Sequence, residues 1–246
     1  MEVRPVFLVL LDISGYTRFA TAHKGNILHA ELIIGDLLES IIRKSRYPLV
    51  VHELLGDAVT LYVQSEPLPE VAKEIRLQVA GIFEAFRQRE GVLISDCRLC
   101  SCEACRSVGM LRLKAILHFG QAVFTAVQGF SKIAGPDVIL AHRLLKNSIP
   151  SHEYMLETEP FYAIAGPFPD GPVELRKERY EDLGTLEIRV RFPSSEEAKL
   201  VAPKRPLLSA VWMNLRGAIY ILATTFGKPR KQYRNLEAQN ESVRSA

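Results

Sequence analysis

Along most of the chain, apolar positions either run unbroken for the length of a strand or recur at helical spacing. Val6 to Leu11 is an uninterrupted apolar run that stops at Asp12. A run without polar alternation reads as a strand buried on both faces. Ser14-Gly15 behind it is turn and N-cap chemistry for a following helix. Leu28, Leu32, Ile33, Leu37, Leu38, Ile41 and Ile42 then repeat at helical spacing, with Gly25 dividing residues 16–44 into two helices. Val50 to Val63 reads as two strands joined at Gly56-Asp57, a tight-turn dipeptide. Pro67 and Pro69 precede a long amphipathic helix over 70–89, with Val71, Ile75, Val79, Ile82, Phe83 and Phe86 on one face.

Beyond that helix the pattern predicts a short strand at Val92–Ile94 and then a cysteine-rich segment. Strands at 111–119 and 122–127 flank Gly120, a helix spans 135–146, and Tyr154–Leu156 reads as a strand. Residues 166–172 form a turn-rich loop, and 186–192 alternates as a half-exposed strand does. The order predicts an α+β domain over residues 1–192, mostly antiparallel, with helices on one face and a cysteine insertion at 95–109. Residues 193–206 read as a linker, and 207–246 as a C-terminal apolar helix with a basic tail.

Composition changes this picture little. With 246 residues and 48% hydrophobic content the chain can bury one good core with a small appendage, and it reads as globular. A net charge of +3 gives no reason to expect a nucleic-acid partner. The start lacks a basic segment before its apolar run, and Asp12 interrupts that run, so no secretory signal is expected and the cytoplasm is the default. Thiols are reduced there.

Two carboxylates carry the first candidate chemistry. If the Val6–Leu11 strand and the Gly56 hairpin are neighbours, Asp12 and Asp57 meet at one sheet edge and suit a hard divalent cation; alternatively each simply caps a turn. The cysteines carry the second. All four lie in Cys97-Arg-Leu-Cys100-Ser-Cys102-Glu-Ala-Cys105, a spacing that suits a structural Zn²⁺. An iron–sulfur cluster, a three-cysteine site completed by a histidine, and redox-active dithiols are the alternatives. His118, alone beside a strand turn, reads as structural.

Asp12-Ile-Ser-Gly-Tyr-Thr and Leu55-Gly-Asp57-Ala resemble the two metal-binding motifs of class III nucleotidyl cyclases. Leu113-Lys-Ala-Ile-Leu-His118-Phe-Gly120 resembles that family's central strand, and Gly135-Pro-Asp-Val-Ile-Leu-Ala-His-Arg143 its dimer-partner helix. The ordered set covers roughly residues 5–192. The cysteine insertion lies outside the common pattern and resembles a bacterial branch of cyclase-fold domains.

The resemblance implies a ferredoxin-like cyclase fold working as a head-to-tail homodimer on a nucleoside triphosphate. It implies Mg²⁺ or Mn²⁺ on Asp12 and Asp57, which bind the triphosphate and lower the pKa of the attacking hydroxyl. Glu53 falls on the base-selecting position and matches the guanylyl type; it also reads as an exposed strand residue. Lys132, at the helper position, fits neither pattern. Arg143 falls on the family's triphosphate arginine, although it could equally be a last-turn helix cation. Ile139 replaces the ribose-orienting asparagine, and Gly184-Thr-Leu-Glu-Ile lacks the late phosphate lysine. The resemblance thus allows both a divergent cyclase and a degenerate domain that binds a nucleotide or a protein.

The segment Leu207–Phe226 is long enough to cross a bilayer, which takes ~20 apolar residues. Asn214, Arg216 and Gly217 near its centre argue instead for a helix docked on the domain or on a second chain. An interfacial helix, held by the basic run Lys228–Arg234, is the third alternative.

Overall fold

The Val6–Leu11 run is the middle of the sheet. The computed structural model describes residues 2–22, 27–97, 100, 102–168 and 171–193, and places this run in β1 (Glu2–Ser14). In chain order follow α1 (Tyr16–Ala22), α2 (Ile27–Lys44), β2 (Val50–Leu55), β3 (Ala58–Gln64) and α3 (Pro69–Asp96). Next are α4 (Glu103–Ser107), β4 (Arg112–Val127), β5 (Phe130–Ala134) and α5 (Pro136–Leu144). The last described elements are β6 (Tyr154–Thr158), α6 (Glu159–Ala165), β7 (Val173–Tyr180) and β8 (Gly184–Arg191). The described strands form one sheet in the order β2-β3-β1-β4-β6-β8-β7, with β5 folded back on β4. Among the described strands only the β4–β6 pair is parallel.

A strand flanked on both edges and both faces must be apolar throughout, and Val6 to Leu11 are all essentially inaccessible. Val6, Leu8 and Leu10 pack in one cluster with Ala141 and Leu144 of α5. Phe7 points the other way, 5.8 Å from the ring of Phe161 on α6 and 4.6 Å from Phe119. The antiparallel-rich α+β sheet is as the sequence predicts, with one difference: α5 covers the face opposite α6, so helices lie on both faces.

Several elements depart from the sequence reading. Val92–Ile94 is no strand: α3 continues to Asp96, because Phe86, Glu90, Leu93 and Cys97 extend the buried helical stripe. The two strands predicted around Gly120 are one, β4, which pairs with β1 without interruption from Arg112 to Phe124. Four elements were not anticipated, α4, β5, α6 and β7. The last is an edge strand, charged and mostly exposed, so it lacks the apolar signal of a core strand. The predicted linker from residue 194 and the C-terminal helix lie outside the described residues. Among the described residues no helix is long and apolar enough to cross a membrane.

Gly120 persists mid-strand because of a close approach. A Cβ there would sit 2.3 Å from the Asp137 carboxyl. Asp137 accepts from the Gln121 backbone N–H at 2.7 Å and faces His118 Nε2 at 3.3 Å, while His118 Nδ1 lies 2.8 Å from Thr158 Oγ1. These contacts fasten the start of α5 to β4 and β6, and His118, 2% exposed, has the structural role expected of it. His118, followed by the Gln121 N–H, holds the Asp137 carboxyl below its ordinary pKa. Gly120→Ala displaces Asp137 and should cost about 1.5–3 kcal/mol, the range for hydrogen bonds to a charged group. A melting temperature unchanged in thermal unfolding of that variant would contradict this.

Candidate functional site

Register brings the two motif aspartates together. Asp12 lies opposite Ala58 on β3 and opposite Lys114 on β4. Asp57 directly precedes Ala58, in the turn that Gly56 allows by adopting a φ of +61°. The Asp57 carbonyl accepts from the Ile13 N–H at 3.2 Å, which locks the turn onto the end of β1. The side chains are electrostatically coupled. Burial first, and the neighbouring Asp12 charge second, push the Asp57 carboxyl up to about 6; its own backbone hydrogen bond and Lys114 act against them.

Lys114 went unnoticed in the sequence, although a lysine set among the apolar Leu113, Ala115, Ile116 and Leu117 was a usable signal. Its ammonium sits 3.0 Å from Asp12 Oδ2 and donates to the Leu145 carbonyl at 2.9 Å. Tyr16, which opens α1, donates to Glu31 Oε1 at 3.1 Å. Burial and then Glu31 raise its phenol above the ordinary value, and Asp57 adds to this. The site is therefore two partly buried carboxylates with one facing ammonium. Repulsion that raises the proton affinity of Asp57 equally favours a hard cation between the two acids, and the donor set is one such a cation takes.

The remaining predicted residues are more dispersed. Glu53 is exposed on β2, paired with Thr60 just after a register shift that begins at Val51. Lys132 is exposed on β5 opposite Thr125. On α5, Ile139 is 57% exposed, and Arg143 makes an exposed ion pair of 3.1 Å with Asp182 in the β7–β8 turn. Ile139 and Arg143 are one helical turn apart on the solvent side of α5. β8 has no lysine, but the unanticipated β7 sets Lys177 against Glu187 at 3.0 Å.

The cysteines gather around a residue the sequence did not single out. The ligand atoms of His29, Cys100, Cys102 and Cys105 all lie within 4.8 Å of one another, an arrangement that could hold a metal such as zinc. Cys97 is also buried, and its sulfur, ahead of burial, raises the Cys105 thiol. His29 is 68 residues from the first of these cysteines along the chain, so no spacing rule linked it to them.

The model of a family described as "Protein of unknown function (DUF2652)" matches residues 34–154. An uncharacterized protein of Mycobacterium tuberculosis is 29% identical over 126 residues, which are 51% of this chain and 57% of that protein. Among solved structures, the adenylyl cyclase CyaB from P. aeruginosa superposes with a TM-score of 0.57 at 12% identity, covering 80% of this chain and 97% of that one. The guanylyl cyclase Cya2 gives 0.57 at 11% identity, covering 82% and 98%. The guanylate cyclase domain of RhGC from Catenaria anguillulae, solved in complex with GTP, gives 0.55 at 14% identity, covering 79% and 100%. Sheet order and these likenesses together show that the fold is that of class III nucleotidyl cyclase catalytic domains.

Proposed function

We propose that the chain is a divergent, metal-dependent nucleotidyl cyclase. In this reaction the ribose 3′-hydroxyl of a nucleoside triphosphate gives up its proton, which passes to solvent or to the pyrophosphate, and its oxygen forms a bond to the α-phosphorus. The bond from that phosphorus to the bridging oxygen breaks, giving a 3′,5′-cyclic nucleotide and pyrophosphate. The observation that supports this most is the coupled Asp12–Asp57 pair at the end of the central strand, with Lys114 against it.

Asp12 and Asp57 would hold Mg²⁺ or Mn²⁺. Bound there, a divalent cation supplies Lewis acidity to the attacking hydroxyl and charge neutralisation to the phosphates. Lys114, now neutralising Asp12, is placed to turn its ammonium to a phosphate oxygen once the acids are otherwise satisfied. Glu53 would accept from the N1–H and 2-amino group of guanine, which makes GTP the preferred substrate. Lys132 falls at the helper position of the base pocket. Arg143 is solvent-facing and would serve the triphosphate of a second copy in a head-to-tail homodimer. The cysteine cluster is a separate structural Zn²⁺ centre, and the cytoplasm supplies both triphosphate and reduced thiols.

Ile139 supports a second reading, a cyclase-fold domain that binds a nucleotide or a protein without turnover. An aliphatic side chain cannot orient a ribose oxygen, and one missing preorganised donor costs ~10²–10³ in rate. The two readings separate on one variant. With Mn²⁺ and GTP, Ile139→Asn should raise the rate of cyclic GMP formation about tenfold or more, since part of that ~10²–10³ is restored. Glu53→Lys should weaken GTP use. No product from either wild type or Ile139→Asn, with nucleotide binding that still depends on Asp12, would establish the binding module instead.

A further inference from the structure

The Nδ1 atom of His29 is surrounded by sulfur. Cys102 Sγ lies 3.3 Å from it, Cys100 Sγ 3.7 Å and Cys105 Sγ 3.8 Å. A ring nitrogen carries either one lone pair or one proton, so hydrogen bonding accounts for one of these neighbours and not for three. A cation at the centre accounts for all of them. In a tetrahedron with Zn–N of ~2.0–2.1 Å and Zn–S of ~2.3 Å, the N···S edge is ~3.6 Å, and the three distances bracket that value.

We propose that His29, Cys100, Cys102 and Cys105 bind one zinc ion in a closed Cys₃His centre, with Cys97 outside the ligand set. The chain provides the ligands from two places. His29 comes from the first turn of α2, and the cysteines come from the segment joining α3 to β4. Local backbone prepares that segment. The Cys100 N–H donates to the Cys97 carbonyl at 3.0 Å, which ties Cys100 to the end of α3. Cys102 caps α4, its sulfur accepting from the Cys105 N–H at 3.4 Å, a bond of the kind that steadies a thiolate ligand. Cys97, at the end of α3, is buried against Cys105 and behaves as a packed thiol beside the centre.

One ion fits better than a cluster. Iron–sulfur ligands are spread over two or more irons, whereas four ligand atoms within 4.8 Å of one another enclose a single ion. Four protein ligands leave no open position, so the centre is structural, a clasp between the start of α2 and the α3–β4 connection. Its contribution is independent of whether the aspartate site turns over nucleotide.

The test uses the intact protein, purified anaerobically with zinc. Elemental analysis should give one zinc per chain, and X-ray absorption at the zinc edge should give three sulfur ligands and one imidazole nitrogen. His29→Ala should lose most of the zinc and His29→Cys should keep it, while Cys97→Ser retains a full equivalent. Four sulfur ligands in the wild-type spectrum, or zinc lost from Cys97→Ser but kept by His29→Ala, would overturn the assignment in favour of a tetrathiolate. A metal-free protein with unaltered thermal unfolding after zinc addition would overturn the site altogether. The wild-type spectrum decides between the ligand sets even if a variant fails to fold.

Discussion

Asp57→Asn is expected to abolish nucleotide cyclisation while making the metal-free protein more stable at neutral pH. The loss follows from removing one of two carboxylates that hold the cation. Charge stabilisation by a bound metal is worth several kcal/mol in the transition state, so the fall should reach at least ~10³ in rate. The gain follows from the opposite side of the same electrostatics. Burial and Asp12 raise the folded-state pKa of Asp57 to about 6, above its value in an unfolded chain. A group shifted upwards favours folding in its protonated form. That contribution is complete below the unfolded pKa near 3.8 and is lost as pH rises towards about 6. Above about 6 Asp57 carries its charge in a partly buried site beside Asp12, and a neutral Asn relieves first the cost of burying that charge and then the repulsion. Thermal unfolding in chelator at pH 7.5 should show a higher melting temperature for Asp57→Asn, with the difference shrinking towards pH 4. With Mn²⁺ present the order should reverse, because only the wild type gains from binding. A variant that is less stable than wild type in chelator would show that Asp57 is a structural turn residue, with no cost stored for function.

The second large effect concerns the fold. Glu157, with no exposed surface, receives two hydrogen bonds of 2.8 Å from Arg76 on α3. The same guanidinium donates to the carbonyls of Pro167 at 3.0 Å and Gly166 at 2.9 Å, and lies 4.3 Å from the centre of the Phe168 ring. One side chain thereby joins α3, β6 and the loop after α6. Arg76→Leu strands a buried carboxylate and two carbonyls, and breaking one partner of such a pair costs about 3–5 kcal/mol. In a domain of this size that is a fall of roughly 6–20 °C in melting temperature. Arg76→Leu combined with Glu157→Leu should recover a large part of the loss, because most of the penalty is the unpaired charge. A single variant within about 1 kcal/mol of wild type would mean that Glu157 simply takes up a proton, as burial already inclines it to do.

How far the sequence went depended on how local each signal was. Val6–Leu11 was legible because a strand buried on both faces has one unambiguous pattern, and the Gly56-Asp57 turn because only a few residues tolerate its backbone. Both lie within a few positions of an aspartate, so the candidate cation site was readable too. Lys114 reaches that site only through the β1–β4 register, which a single strand does not reveal. His29 joins the cysteines only once α2 is packed near the α3–β4 connection. β7 was missed since an exposed, charged edge strand has no core face to betray it. Val92–Ile94 was misread for the opposite reason: a short apolar run fits a strand or a buried helical turn equally well, and tertiary packing chose the helix.

The central claim is cyclisation, and product analysis tests it directly. Each of the four nucleoside triphosphates is incubated with wild-type protein and either Mg²⁺ or Mn²⁺, across protein concentrations that span dimer formation. Products are identified by mass spectrometry. The account predicts a 3′,5′-cyclic nucleotide and pyrophosphate in equal amounts, with GTP preferred and with the rate per chain rising as the dimer forms. No cyclic product from any triphosphate, at concentrations where the dimer is demonstrably present, would contradict it.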